Sequence, residues 1–126
     1  MIKTMTTGEV QMLGNTLMRL WEEKKMDIHM APVSLYHLIG LKKTIQEHMN
    51  KIAETVSTII EQHDGQRQED GSLKVPPEKV DEVNLILGDL AKETIDLEYE
   101  EITIGKNDAL PVELMDALFD FIAITE

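Results

Sequence analysis

A chain of 126 residues, 42% of them hydrophobic, has room for one modest core and not for two independent ones. Its 24 acidic against 12 basic residues give a formal net charge of -12, which disfavours long-range attraction to nucleic acid or anionic lipid because the few Lys and Arg do not cluster. With no cysteine, disulfides, thiolate nucleophiles and sulfur-bound zinc drop out; the opening "MIKTMTTGEV" lacks the apolar run of a signal peptide, and no segment approaches the roughly 20 apolar residues of a membrane span.

Thr6 and Glu9 have the spacing of a capping box, in which side chain and backbone N–H satisfy each other reciprocally, so a helix is predicted over residues 7–24. Val10, Leu13, Leu17 and Leu20 give it one apolar stripe, and Gly14 weakens it slightly. "MDIHM" alternates Met26, Ile28 and Met30 with Asp27 and His29, which predicts a short strand over 26–30 before Pro32.

From 34 to 62 the chain is free of proline. Leu38, Ile45, Ile52 and Ile59 fall seven apart, with Met49 and Val56 filling the steps, so a long helix with a heptad seam is expected. At about 45 Å it is longer than a domain of this size needs, and part of it should project. Lys42 and His63 stand at the two ends of the seam. Residues 63–76 read as a loop with a tight turn at Asp70 and Gly71. Pro77 suits the start of a helix over 77–93, whose Val80, Val83, Leu87 and Leu90 should face Ile45, Ile52 and Ile59 in a helical hairpin.

The segment "TIDLEYEEITI" predicts a strand over 95–104. Ile95, Leu97 and Tyr99 share one side, whereas Ile102 and Ile104 have the other parity, so a bulge near Glu100 and Glu101 is expected. Its partner is expected to be "MDIHM", with Ile28 on the buried face of Leu97. The tail over 111–123 should be a short helix burying Leu114, Met115, Leu118, Phe119 and Ile122. The fold class is therefore α+β, mainly α: one domain over 1–126 with a long helical hairpin, a small antiparallel β-sheet and a short C-terminal helix.

Catalytic signatures are not apparent. His29, His37, His48 and His63 form no metal-binding pair, Ser34, Ser57 and Ser72 sit in no triad context, the glycines make no phosphate loop, and "DGQRQEDG" lacks the ligand pattern of a calcium hand. No catalytic residue, metal or cofactor is expected. Asp96, Glu98 and Glu100 form the candidate partner-binding face. Their plain reading is the wet side of an antiparallel strand, where like charge also discourages edge-to-edge aggregation; docking of a basic partner is the functional one.

Several stretches taken together resemble a family of small proteins of tailed bacteriophages and prophages whose function is unknown. They are the helix ending near "WEEKK", "MDIHMAPVSLYHLIGLKKTI" leading into a long helix, the turn in "EDGSLKVPPEKVDEVNLILGDL", and "ETIDLEYEEITI" followed by "LPVELMDALFDFI". The likeness covers nearly the whole chain and implies a phage setting, in the host bacterial cytoplasm or associated with the virion, and no known active site. The expected function is a non-enzymatic phage protein acting by protein–protein contact, in a structural or assembly accessory role; the alternative is an acidic anti-defence protein that mimics nucleic-acid charge against a host nuclease. Expected partners are an unidentified phage or host protein and a second copy of the chain. The two-fold dimer rests on apolar residues off the main stripes: Leu35, Tyr36, Ile39, Leu41 and Ile60, with Met12, Met18 and Trp21. No direct nucleic-acid or membrane contact is expected.

Overall fold

A computed structural model describes residues 1–24 and 28–124. In chain order it places β1 (Ile2–Thr6), α1 (Thr7–Lys24), α2 (Pro32–Gln62), β2 (Gln66–Arg67), β3 (Leu73–Lys74), α3 (Val80–Lys92), β4 (Thr94–Glu98), β5 (Ile102–Ile104), α4 (Val112–Ala117) and β6 (Ile122–Ile124). Short 3-10 turns at Pro77–Lys79 and Phe119–Phe121 lead into α3 and out of α4. The architecture is mainly-α α+β, with two long helices, a small antiparallel ribbon and a short C-terminal helix.

Helix α1 begins where its capping box predicts. The Thr6 N–H donates to Glu9 Oε1 at 3.0 Å and the Glu9 N–H to Thr6 Oγ1 at 3.1 Å. Hydrogen bonding from the Thr6 backbone N–H, and then from the Thr6 side chain, holds the Glu9 carboxyl below its ordinary value. Val10, Leu17 and Leu20 are buried to 1% exposure or less, and they meet Leu38, Leu41, Ile45 and Ile52 of α2 in one core.

The heptad seam is real, but its main partner is α1 rather than α3. At the crossing, a Cβ on Gly14 would lie 2.0 Å from Met49 Sδ and 3.1 Å from Ile45 Cγ2, so the space left by the missing side chain is filled by Met49 of α2. The expected pairing of Ile45 with α3 is corrected accordingly. Within α2 burial fades toward the C-terminus: Ile52 is the last buried residue and Ile59 is half-buried. Helix α3 contributes Val83 to the interior, keeps Leu87 and Leu90 half-buried, and leaves Val80 39% exposed. It also leans on the start of α1, where Thr7 Oγ1 donates to the Leu90 carbonyl.

The α2–α3 connection is a small hairpin of β2 and β3 turning at Asp70–Gly71, where Gly71 has φ +85° and Asp70 Oδ1 accepts from the Ser72 N–H and hydroxyl. Helix α2 ends in a Schellman motif: the Gly65 N–H donates to the Ile60 carbonyl and the Asp64 N–H to the Glu61 carbonyl, with Asp64 at φ +63°. Lys79 Nζ sits 2.5 Å from Asp64 Oδ2 and fastens α3 to this cap. The Lys79 bond holds the Asp64 carboxyl below its usual range and raises the Lys79 ammonium above its own. A depressed carboxylate contributes stability above the ordinary carboxylate range and loses it as pH falls through the lowered value. Asp64→Asn, which keeps a residue tolerant of positive φ, should therefore lower Tm at neutral pH, and its gap to the wild type should close on acidification below about pH 4. Melting curves across pH 2–8, a range set by ordinary carboxylate titration, check this; a gap that persists unchanged into acid rejects the ion pair.

Strand β4 pairs antiparallel with β1, in the register Ile2↔Glu98, Lys3↔Leu97, Thr4↔Asp96, Met5↔Ile95 and Thr6↔Thr94. Where the expected partner is described, at residues 28–30, it lies elsewhere: His29 forms an isolated antiparallel bridge with Ala109, and Ala31 N–H donates to Asp108 Oδ1. Met26 and Asp27 of that predicted strand lie outside the described residues. The strand predicted over 95–104 is also two strands. Leu97, Ile102 and Ile104 are all buried, and the chain reconciles their parity by breaking at Tyr99–Glu101 instead of bulging within one ladder. Beyond the break β5 pairs parallel with β6, and α4 supplies the crossover a parallel pair needs. The predicted C-terminal helix over 111–123 is thus a helix, a 3-10 turn and a strand. The three-residue step from Leu118 to Phe121 buries Phe121 edge-on to Tyr99 at 4.8 Å and leaves Phe119 73% exposed.

Candidate functional site

The acidic face is built by the register of the β1–β4 ribbon. Ile95 and Leu97 point into the core, and Thr94, Asp96 and Glu98 point to solvent. Across the ribbon Thr4 Oγ1 donates to Asp96 Oδ1 at 2.7 Å, which steadies that carboxylate without neutralising it. Glu100 lies past the end of β4, on the bend toward β5.

The hydrogen-bonding pattern identifies which edge of β4 is free. The Met1 ammonium donates to the Tyr99 carbonyl at 2.8 Å, the Tyr99 N–H to the Met1 carbonyl at 2.9 Å, and the Thr7 N–H to the Glu93 carbonyl at 2.7 Å. In an antiparallel ladder bonded and non-bonded pairs alternate, so Leu97 and Ile95 also bond to β1, whereas the N–H and C=O groups of Thr94, Asp96 and Glu98 point away from it. No further strand covers that edge among the described residues.

Between this edge and α2 runs an open furrow. At one end Tyr36, Gly40 and Thr44 of α2 stand opposite Glu98 and Glu100, with Met1 and Ile2 beside them, around a depression of about 480 Å³. At the other, His48, Lys51 and Thr55 stand opposite Thr94 and Asp96 around a depression of about 350 Å³. The sequential order of these residues, ascending along α2 and descending along β4, makes the two depressions successive parts of one boundary. Tyr36 is 77% exposed, and a Cβ on Gly40 would meet nothing within 4 Å, so the first part is unfilled.

The structure therefore brings Glu98 and Glu100 together at one end of the furrow and Asp96 to the other. Sequence reasoning missed the α2 wall and the N-terminal residues. Tyr36, Gly40 and Thr44 recur every four residues off the heptad seam, which was the available signal. The histidines occupy separate places: His29 in the bridge to Ala109, His37 and His48 along the furrow, and His63 with Nδ1 2.7 Å from the Ile59 carbonyl and Nε2 3.5 Å from Glu82. Lys42, at the end of the seam, lies over the Trp21 ring at 4.9 Å.

The apolar residues behind the expected dimer are mostly used internally. Trp21 and Leu41 are buried, Leu35 and Ile39 pack on the core, Met18 and Ile60 are half-buried, and Tyr36 and Met12 remain exposed. No helix among the described residues is long and apolar enough to cross a membrane. Compared with protein-family models, with curated proteins and with solved structures, the chain matches none.

Proposed function

We propose that this protein is a non-enzymatic accessory protein of a tailed bacteriophage that acts by protein–protein contact through the α2–β4 furrow and the acidic face beside it. The observation that carries this reading is the coincidence of three features along one boundary. An open furrow runs there, exposed apolar side chains (Met1, Ile2 and Tyr36) border it, and a strand edge whose outward backbone groups pair with no strand among the described residues forms its wall. Each alone is ordinary. Together they give a surface with shape, apolar area and directional hydrogen bonding, which are the components of a specific protein contact. The resemblance of the sequence to phage proteins supports the setting.

The charge-mimic alternative has less support, because imitation of a phosphate backbone needs carboxylates repeated along a continuous face. Strand β4 presents Asp96 and Glu98 before it ends, and the acids of α2 are interleaved with Lys43 and Lys51. A photo-crosslinking residue placed at Tyr36, and separately at Leu85 on exposed α3, tests the reading in bacteria carrying the gene in its natural setting. A discrete protein adduct from position 36 and none from position 85 is expected; no adduct from position 36, or the same adducts from both, overturns it.

A further inference from the structure

We infer that the free edge of β4 accepts an extended basic segment of a partner protein as an added strand, with Lys or Arg at alternate positions beside Asp96 and Glu98. The inference rests on the contact surface proposed above and specifies the chemistry of its occupant.

The argument starts from the backbone. Thr94, Asp96 and Glu98 direct their N–H and C=O groups outward, at the roughly 7 Å spacing of every second strand residue, so an incoming strand finds a ready row of donors and acceptors. The pleat then sorts the side chains of that strand. One alternate set falls on the solvent face, next to Asp96 and Glu98, and the other falls into the furrow against α2.

Charge decides what each set can be. Opposite Asp96 and Glu98, cationic residues form favourable cross-strand pairs, and acidic ones are repelled. The furrow side is different, because Lys51 of α2 lines it and Gly40 and Thr44 leave open, uncharged floor; small or apolar residues fit there. The occupant therefore alternates basic and uncharged residues over about five positions, the length of β4.

The same charges exclude a second copy of this chain at this edge. Antiparallel edge-to-edge pairing would set Asp96 against Asp96 or Glu98 of the second copy, and each copy carries a net charge of -12. The acidic strand thus resists its own kind while remaining open to a basic strand.

The test uses the intact protein and a fluorescent synthetic nonapeptide in which lysine alternates with valine. Saturable binding is expected, weakening about tenfold between roughly 0.05 and 0.5 M salt as screening increases. The glutamate–valine counterpart should not bind. Asp96→Asn with Glu98→Gln should weaken the lysine peptide about tenfold, the scale of two exposed charge pairs. Edge pairing is read separately, from two peptides N-methylated on alternate amides. The frame whose N–H groups face β4 should lose binding, and the other should keep it. Equal binding of the two methylated peptides, binding indifferent to the double variant, or no binding up to about 1 mM overturns the inference. If the peptide fails while crosslinking at position 36 still yields its discrete adduct, the added strand falls and the wider contact surface stands; if both fail, neither stands.

Discussion

Ile45→Asp is expected to abolish the folded state. Ile45 is fully buried on α2 where that helix crosses α1, and its removal forfeits roughly 1.5–3 kcal/mol of apolar burial. The carboxylate left in its place must stay desolvated without a partner or take up a proton, which costs several kcal/mol more. The sum is comparable to the whole stability of a typical domain, about 5–15 kcal/mol. Circular dichroism should show no cooperative melting transition. Leu85→Asp, on a side chain 69% exposed, should change stability by no more than about 0.5 kcal/mol and serves as the control. An Ile45→Asp variant that melts cooperatively near the wild-type temperature would remove the seam from the core.

The second large effect is expected at Gly14. A Cβ there would meet Met49 Sδ at 2.0 Å and Met49 Cγ at 2.9 Å, both on a flexible side chain that can swing aside. Gly14→Ala should therefore be mild, since about 1 kcal/mol of gained helix propensity offsets the repacking. Gly14→Leu is another matter. Its branched end needs the space held by Ile45 Cγ2, 3.1 Å from the Cβ position, and α1 can make room only by moving off α2. A loss of about 3 kcal/mol or more is expected, at the upper end of overpacking effects. Met49→Ala should restore at least about 1 kcal/mol of it, because the two positions share one space. Denaturant midpoints of the four members of this cycle give the coupling directly. An unperturbed Gly14→Leu would mean that the helices do not meet there.

The local features of the chain were legible in its sequence because their causes lie within a few residues. Thr6 and Glu9 are three apart, and their reciprocal bonds start α1 at the predicted place. The turn at Asp70–Gly71 follows from a carboxylate that reaches Ser72 and a residue free to take positive φ. The buried and wet sides of residues 95–98 follow from a period of two, and the buried positions 38, 45 and 52 of α2 from a period of seven. In each case the pattern and the force that acts on it share one segment.

What only the tertiary structure decided was which segments meet. Thr4 and Asp96 are separated by 92 positions, and nothing near Asp96 selects "IKTMT" as its partner; "MDIHM" alternates in sequence, whereas the apolar Ile2 and Met5 of "IKTMT" fall on opposite sides. The choice falls to the ensemble of packed helices, which sets Thr7 against Leu90 and so brings the start of α1 beside the end of α3 and β1 beside β4. The break at Tyr99–Glu101, the parallel pairing of β5 with β6 and the exchange of Phe119 for Phe121 have the same origin, since each sacrifices local regularity to bury Ile102, Ile104, Leu118 and Phe121 together. The furrow belongs to this second class as well. Its walls are α2 and β4, whose sequences specify one helix and one strand, and it exists because the buried faces of the two elements share a core while their outer edges do not touch.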